Sequence, residues 1–176
     1  GRRVIGKATP DFTVGWNNTL TYKNWDLNLF FNGAFGADRL NLARFTMASM
    51  VGDSRFITLR EAYTDNFDKV GQSAIYPGLK VAGNNYQAVS TKWVEDASYV
   101  RLENISLPYN LSKKVTKFAD IRLTLSCQNL FTITGYKGMD PVGTTFSNDN
   151  VDVDAGIDMG AYPTPRTFTF GVRMNF

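Results

Sequence analysis

From position 12 to position 22 the chain alternates nearly without interruption between apolar and polar side chains. Phe12, Val14, Trp16, Leu20 and Tyr22 fall on one parity, joined by Asn18, and Thr13, Gly15, Asn17, Thr19 and Thr21 on the other. A period of two is the mark of a β-strand with one apolar face. After Lys23-Asn24 the pattern restarts, with Trp25, Leu27, Leu29 and Phe31 on one side and Asp26, Asn28 and Asn32 on the other. Phe30 is the exception, an aromatic ring on the polar parity. These two runs predict a hairpin with a very short turn. A third run, 98–110, carries Val100 and Leu102 and then shifts phase at Asn104 to Ile105, Leu107 and Tyr109, which predicts a bulge. Ile121, Leu123, Leu125 and Cys127 alternate with Arg122, Thr124, Ser126 and Gln128 in a fourth run. The fifth sets Phe168, Phe170, Val172, Met174 and Phe176 against Thr167, Thr169, Gly171, Arg173 and Asn175.

Alternation of this kind suits a soluble sandwich, whose apolar face is covered by a second sheet, or a membrane barrel, whose apolar face meets lipid. Length favours the barrel. About 11 residues rise roughly 36 Å, and a tilt near 45° reduces this to about 25 Å, the height of a barrel's apolar band. The connections favour it too. They alternate between short (23–25 and about 111–119) and long (about 37–97 and 132–165), as periplasmic turns and extracellular loops do. With the end of the fifth run on the periplasmic side, both long loops fall outside the cell and residues 1–9 belong to a further extracellular loop. Five strands do not close a barrel, and an open edge is costly in lipid, so further strands are expected before Gly1.

Composition fits this picture. Aromatics make up 14% of the 176 residues, which favours strands. The mean hydropathy of −0.23 is what alternating strands average to. Chemistry is sharply limited. Histidine is absent, which removes the usual general base and the commonest metal ligand, and Cys127 is the only cysteine. No catalytic residues are expected. The net charge of +3 is scattered along the chain, which argues against nucleic acid as a partner. The chain begins at Gly1-Arg2-Arg3 without an initiator Met, which suggests an internal start.

Five blocks carry a family resemblance. They are Ile5-Gly6-Lys7-Ala8-Thr9-Pro10-Asp11-Phe12, Trp93-Val94-Glu95-Asp96-Ala97-Ser98-Tyr99-Val100-Arg101-Leu102-Glu103-Asn104-Ile105, Gln128-Asn129-Leu130-Phe131-Thr132, Tyr136-Lys137-Gly138-Met139-Asp140-Pro141 and Tyr162-Pro163-Thr164-Pro165-Arg166-Thr167-Phe168. In this order they resemble the C-terminal part of SusC/RagA-type TonB-dependent transporters. The resemblance implies an all-β, transmembrane antiparallel β-barrel of about 22 strands, of which this chain supplies the last five with two long extracellular loops. It further implies residence in the outer membrane of a Gram-negative bacterium and import of oligosaccharides or peptides. The implied partners are a SusD-like surface lipoprotein, TonB acting through an N-terminal part that includes the plug, outer-membrane lipid and the barrel-assembly machinery. Pro108 stands where the family usually has glycine, and the ladder is expected to weaken there. A soluble β-sandwich that binds carbohydrate is the alternative reading. The apolar row that ends on Phe176 weighs against it.

Candidate site residues follow from the loops. Tyr76, Tyr86 and Trp93 could stack on sugar rings, and Phe45 belongs to the apolar content of the first long loop, a candidate ligand or lid surface. Packing within the loop, or a place in the interfacial aromatic girdle, is the favoured alternative for the tyrosines and Trp93. Thr58-Leu59-Arg60-Glu61 forms a capping-box pattern that predicts a short helix. Asp149, Asp152, Asp154 and Asp158 suggest calcium, but the glycine and closing glutamate of a calcium loop are out of register, so a solvated acidic loop and no cofactor are expected. Lys113, Lys114 and Lys117 are expected to solubilise the second short turn, and Cys127 to fill space on the apolar face. Phe176 is expected to belong to the signal read during barrel assembly.

Overall fold

The computed structural model describes residues 3–48, 60, 90–112, 117, 119–143 and 156–175. They fall into two compact units, one drawn from residues 10–36, 97–135 and 163–176, the other from 1–9, 37–96 and 136–162.

The first unit is one antiparallel sheet. Its strands are β1 (Phe12–Tyr22), β2 (Trp25–Phe35), β5 (Tyr99–Leu111), β6 (Asp120–Thr134) and β8 (Thr167–Asn175), hydrogen-bonded in that order. β1 and β2 pair without slippage from Phe12↔Phe35 to Tyr22↔Trp25. The two-residue turn between them places Lys23 at φ 54°, the left-handed conformation that tight hairpin turns require. At the other end of the hairpin, Gly36 has φ +82°, and the Asp11 carboxylate occupies the space a side chain would need. Glycine is required there on both grounds.

The predicted bulge is present. The β2–β5 register shifts between Phe30 and Phe31, so Glu103 is the extra residue between Asn104 and Leu102. The next ladder compensates: Leu102 pairs with Phe131 and Asn104 with Gln128, which gives β6 one residue more than β5. Asn129, inside that stretch, has φ 53° and donates its side-chain amide to Pro165 O at 3.2 Å. The paired extra residues restore parity, so the apolar residues of β6 stay on the face of those of β2. Pro108 interrupts one ladder only. It pairs with Thr124 on β6, whereas the register with β2 skips Asp26 and Leu27.

The second unit is knitted from the long connections. A small sheet joins β3 (Asp38–Asn41) antiparallel to β4 (Val94–Asp96) and parallel to β7 (Ile157–Asp158). Helix α1 (Leu42–Ala48) follows β3, and a single 3-10 turn (Thr91–Trp93) precedes β4. The capping-box pattern at 58–61 lies outside the described residues, apart from Arg60.

Candidate functional site

The register sorts the five-stranded sheet into two chemically distinct faces. On one face Phe31 pairs with Trp16 and Leu102, Leu29 with Ile105, Ile105 with Cys127, and Cys127 with Phe168. Rings stack along it: Phe12 on Phe35 at 5.0 Å, Trp16 on Phe31 at 5.4 Å, and Trp25 against Tyr109 at 4.4 Å. This face is open. Phe168 is 68% exposed, Phe170 67%, Leu20 56% and Leu125 55%. With the other half-exposed side chains of the face, the apolar surface is on the order of 1,000 Å², well above what a water-facing surface usually carries. A sandwich would cover it. Leu102 and Cys127 are buried exceptions, Cys127 being a small side chain between Ile105 and Phe168.

Hydrogen-bonding side chains fill the opposite face. Thr19 donates to Asn28 at 2.9 Å, and Asn28 donates to Ser106 at 3.2 Å. Asp26 accepts from Thr21 at 3.0 Å and Asn110 at 3.1 Å, with the Arg122 guanidinium at 3.8 Å. Asn32 donates to Glu103 at 2.7 Å. The buried Arg101 donates to Thr132 at 2.8 Å and Thr164 at 3.3 Å. Polar pairs of this type across strands are what a wetted sheet surface requires.

The loop unit is held by buried polar groups. Asp158 is 2% exposed and accepts hydrogen bonds from the Tyr136 hydroxyl at 2.6 Å and from the Gly160 and Ala161 amides at 2.8 and 3.0 Å. Burial, and then the bond to Asp158, push the Tyr136 phenol well above its ordinary pKa, so it stays a donor. Arg39 donates to the carbonyls of Val142, at 3.0 Å, and Gly143. Arg44 and Glu95 form an enclosed ion pair at 2.8 Å, and Glu95 also accepts the Lys137 amide at 3.0 Å. Buried Asn41 accepts the Arg44 amide at 2.9 Å. The motif residues Glu95, Tyr136 and Lys137 thus brace the loops, as does Asp140, whose carboxylate accepts the Val142 amide at 2.9 Å.

Among the candidates from sequence, Trp93 and Phe45 are brought together. Their rings meet edge to face at 5.4 Å in a cluster with Leu40 and Ala48, and Trp93 is only 5% exposed. Tyr76, Tyr86, Phe176, Asp149, Asp152, Asp154, Lys113 and Lys114 lie outside the described residues. Asp158, the remaining member of the acidic stretch, spends its carboxylate on Tyr136 and two amides. Sequence reasoning assigned no role to Arg39, whose partners lie more than 100 positions away, or to Asn41, whose bond to the Arg44 amide is the local pattern of a helix N-cap.

No family model matches the chain. The TonB-dependent receptor P3 of Formosa agariphila is 37% identical over 182 residues, which cover 99% of this chain and 17% of that protein. The chain matches the SusC/RagA type of TonB-dependent receptor. TonB-dependent receptor SusC of Bacteroides thetaiotaomicron is 27% identical over 98% of the chain and 16% of its own length. Among solved structures, the RagAB peptide importer in its closed-closed state superposes with a TM-score of 0.76 at 23% identity, covering 99% of this chain and 18% of the other. Its open-open state gives 0.74 at 22% identity, over 96% and 17%. The SusC/RagA-type fold therefore accounts for the sheet: five neighbouring strands of a larger barrel wall, left open in this chain. The chain spans less than a fifth of the length of the relatives it matches. Those relatives are receptors and an importer, not enzymes.

Proposed function

We propose that this chain forms wall and extracellular loops at the C-terminal end of an outer-membrane barrel that imports a nutrient, an oligosaccharide or a peptide, in a Gram-negative bacterium. One observation carries the reading: a continuous apolar face, exposed on β1, β2, β6 and β8, backs a polar face across all five strands. Lipid covers the first and a wet lumen borders the second. The name of the RagAB peptide importer and the receptor names of the sequence relatives support import as the activity. TonB supplies energy through parts of the receptor outside this chain. A SusD-like lipoprotein docks on the extracellular loops and lids the barrel.

The lid is tested in the full-length receptor by replacing residues 49–89 with a short Gly/Ser linker. Leu40, Phe45 and Trp93 remain, so the packed loop unit is kept. The barrel should still assemble, with the lipoprotein lost from co-purification and nutrient uptake reduced. Retention of the lipoprotein and normal uptake would refute a docking role for this loop. Orientation is tested with single cysteines at Gly71, Asn148 and Lys113 in a Cys127→Ser background. An impermeant thiol reagent on intact cells should label the first two and spare the third.

A further inference from the structure

The aromatic ring on the wrong parity has a defined setting. Phe30 pairs with Asn17 on β1 and with Asn104 on β5, Asn104 pairs with Gln128 on β6, and Gln128 pairs with Thr167 on β8. One straight row therefore crosses the whole sheet on its polar face. It reads Asn, Phe, Asn, Gln, Thr and carries no formal charge. Asn17, Asn104 and Gln128 are exposed, and their side-chain amides bond to nothing else among the described residues. Phe30 is 36% exposed and leans over Gly15, its ring 3.8 Å from where a side chain at that position would begin. The missing side chain leaves the ring room to lie along the sheet. Neighbouring strands are about 4.8 Å apart, so Asn17 to Gln128 spans roughly 14 Å.

We propose that this row is a lumenal subsite for a neutral oligosaccharide, resting on the reading of the sheet as a transporter wall. The Phe30 ring takes the C–H face of a pyranose. The carboxamides on either side offer donors and acceptors together, as sugar hydroxyls do. The row itself carries no charge, the neighbouring Glu103 and Arg101 being engaged with Asn32, Thr132 and Thr164, and the approximate span accommodates two to three sugar rings.

Calorimetric titration of the purified full-length receptor with maltohexaose, cellohexaose and the uncharged peptide N-acetyl-(Gly-Ser)3-amide tests this. At least one hexasaccharide should bind more tightly than the peptide. Phe30→Ala should weaken that binding roughly tenfold, the scale of one aromatic stacking contact. Phe30→Trp should keep it within about twofold, and Asn104→Ala should cost about threefold, a weak hydrogen bond. The proposal is overturned if neither sugar binds, if the peptide binds better, or if Phe30→Ala binds sugar like the unaltered receptor. In that last case a lowered unfolding temperature would show that Phe30 packs against another part of the polypeptide instead. Loss of nutrient uptake on deleting the gene tests import separately, so the two failures are distinguishable.

Discussion

Replacing Tyr136 by phenylalanine removes a single hydroxyl from the loop unit. That hydroxyl donates to Asp158 at 2.6 Å, and Asp158 is 2% exposed, so water cannot readily take its place. A hydrogen bond to a charged group contributes about 1.5–3 kcal/mol, and leaving a buried carboxylate oxygen unpaired adds to the loss. The ring itself remains and no cavity opens, so the hydrogen bond dominates the change. Asp158 also accepts the amides of Gly160 and Ala161. Hydrogen–deuterium exchange on the full-length receptor in detergent reports on those amides directly. Their protection should fall roughly ten- to a hundredfold, with the strand amides of β6 and β8 unaffected. Unchanged exchange at Gly160 and Ala161 would refute the argument that this bond braces the loops.

Gly138→Ala should give the same exchange signature, because its new Cβ would strike the Tyr136 ring and crowd Asp158 Oδ2 at 2.7 Å. Alkali should loosen the loop unit in the unaltered receptor. The folded Tyr136 phenol titrates above the unfolded value of about 10, so its contribution is complete below pH 10 and declines by about 1.4 kcal/mol per pH unit above it. Tyr136→Phe should lack that component when unfolding of the loops is followed by exchange between pH 9 and 11. Gly36→Ala forces alanine into φ +82° against the Asp11 carboxylate and should cost at least about 1–2 kcal/mol, read as faster exchange of the Asp11 amide, which bonds Phe35 O at 2.8 Å. Removing Phe176 from the full-length receptor should lower the yield of folded, heat-modifiable barrel, and unchanged assembly would make it an ordinary strand residue.

The sheet was legible because strand periodicity is local. β1 runs from Phe12 to Tyr22 as its alternation predicts, and the phase change at Asn104 marks the bulge at Glu103. Ends were harder to see. β2 continues to Phe35 through Gly33-Ala34, which carry no strong alternation, and β6 continues to Thr134 past Asn129, whose left-handed conformation leaves no trace in a polarity pattern. The loop unit was hidden for a different reason. Arg39 reaches the carbonyls of Val142 and Gly143 more than 100 positions away, and Tyr136 meets Asp158 through an irregular connection. Contacts of that range leave no period to read. The motif blocks pointed to the right residues and said nothing of what they hold. Helix α1, seven residues long, has no acidic residues in its first turn or basic residues in its last, and its one local signal was the N-cap Asn41, which accepts the Arg44 amide.

The central claim is that one face of the sheet meets lipid and the other meets water. Nitroxide labels placed singly at Leu125, Phe170, Ser126 and Thr169, in a Cys127→Ser full-length receptor reconstituted into bilayers, test it most directly. Leu125 pairs with Phe170 on the apolar face and Ser126 with Thr169 on the polar face. Spin relaxation at Leu125 and Phe170 should respond to oxygen, which concentrates in lipid, and be indifferent to a water-soluble nickel chelate. At Ser126 and Thr169 oxygen should have less effect than at Leu125 and Phe170. Equal nickel accessibility on both faces, or the reverse pattern, would contradict the account.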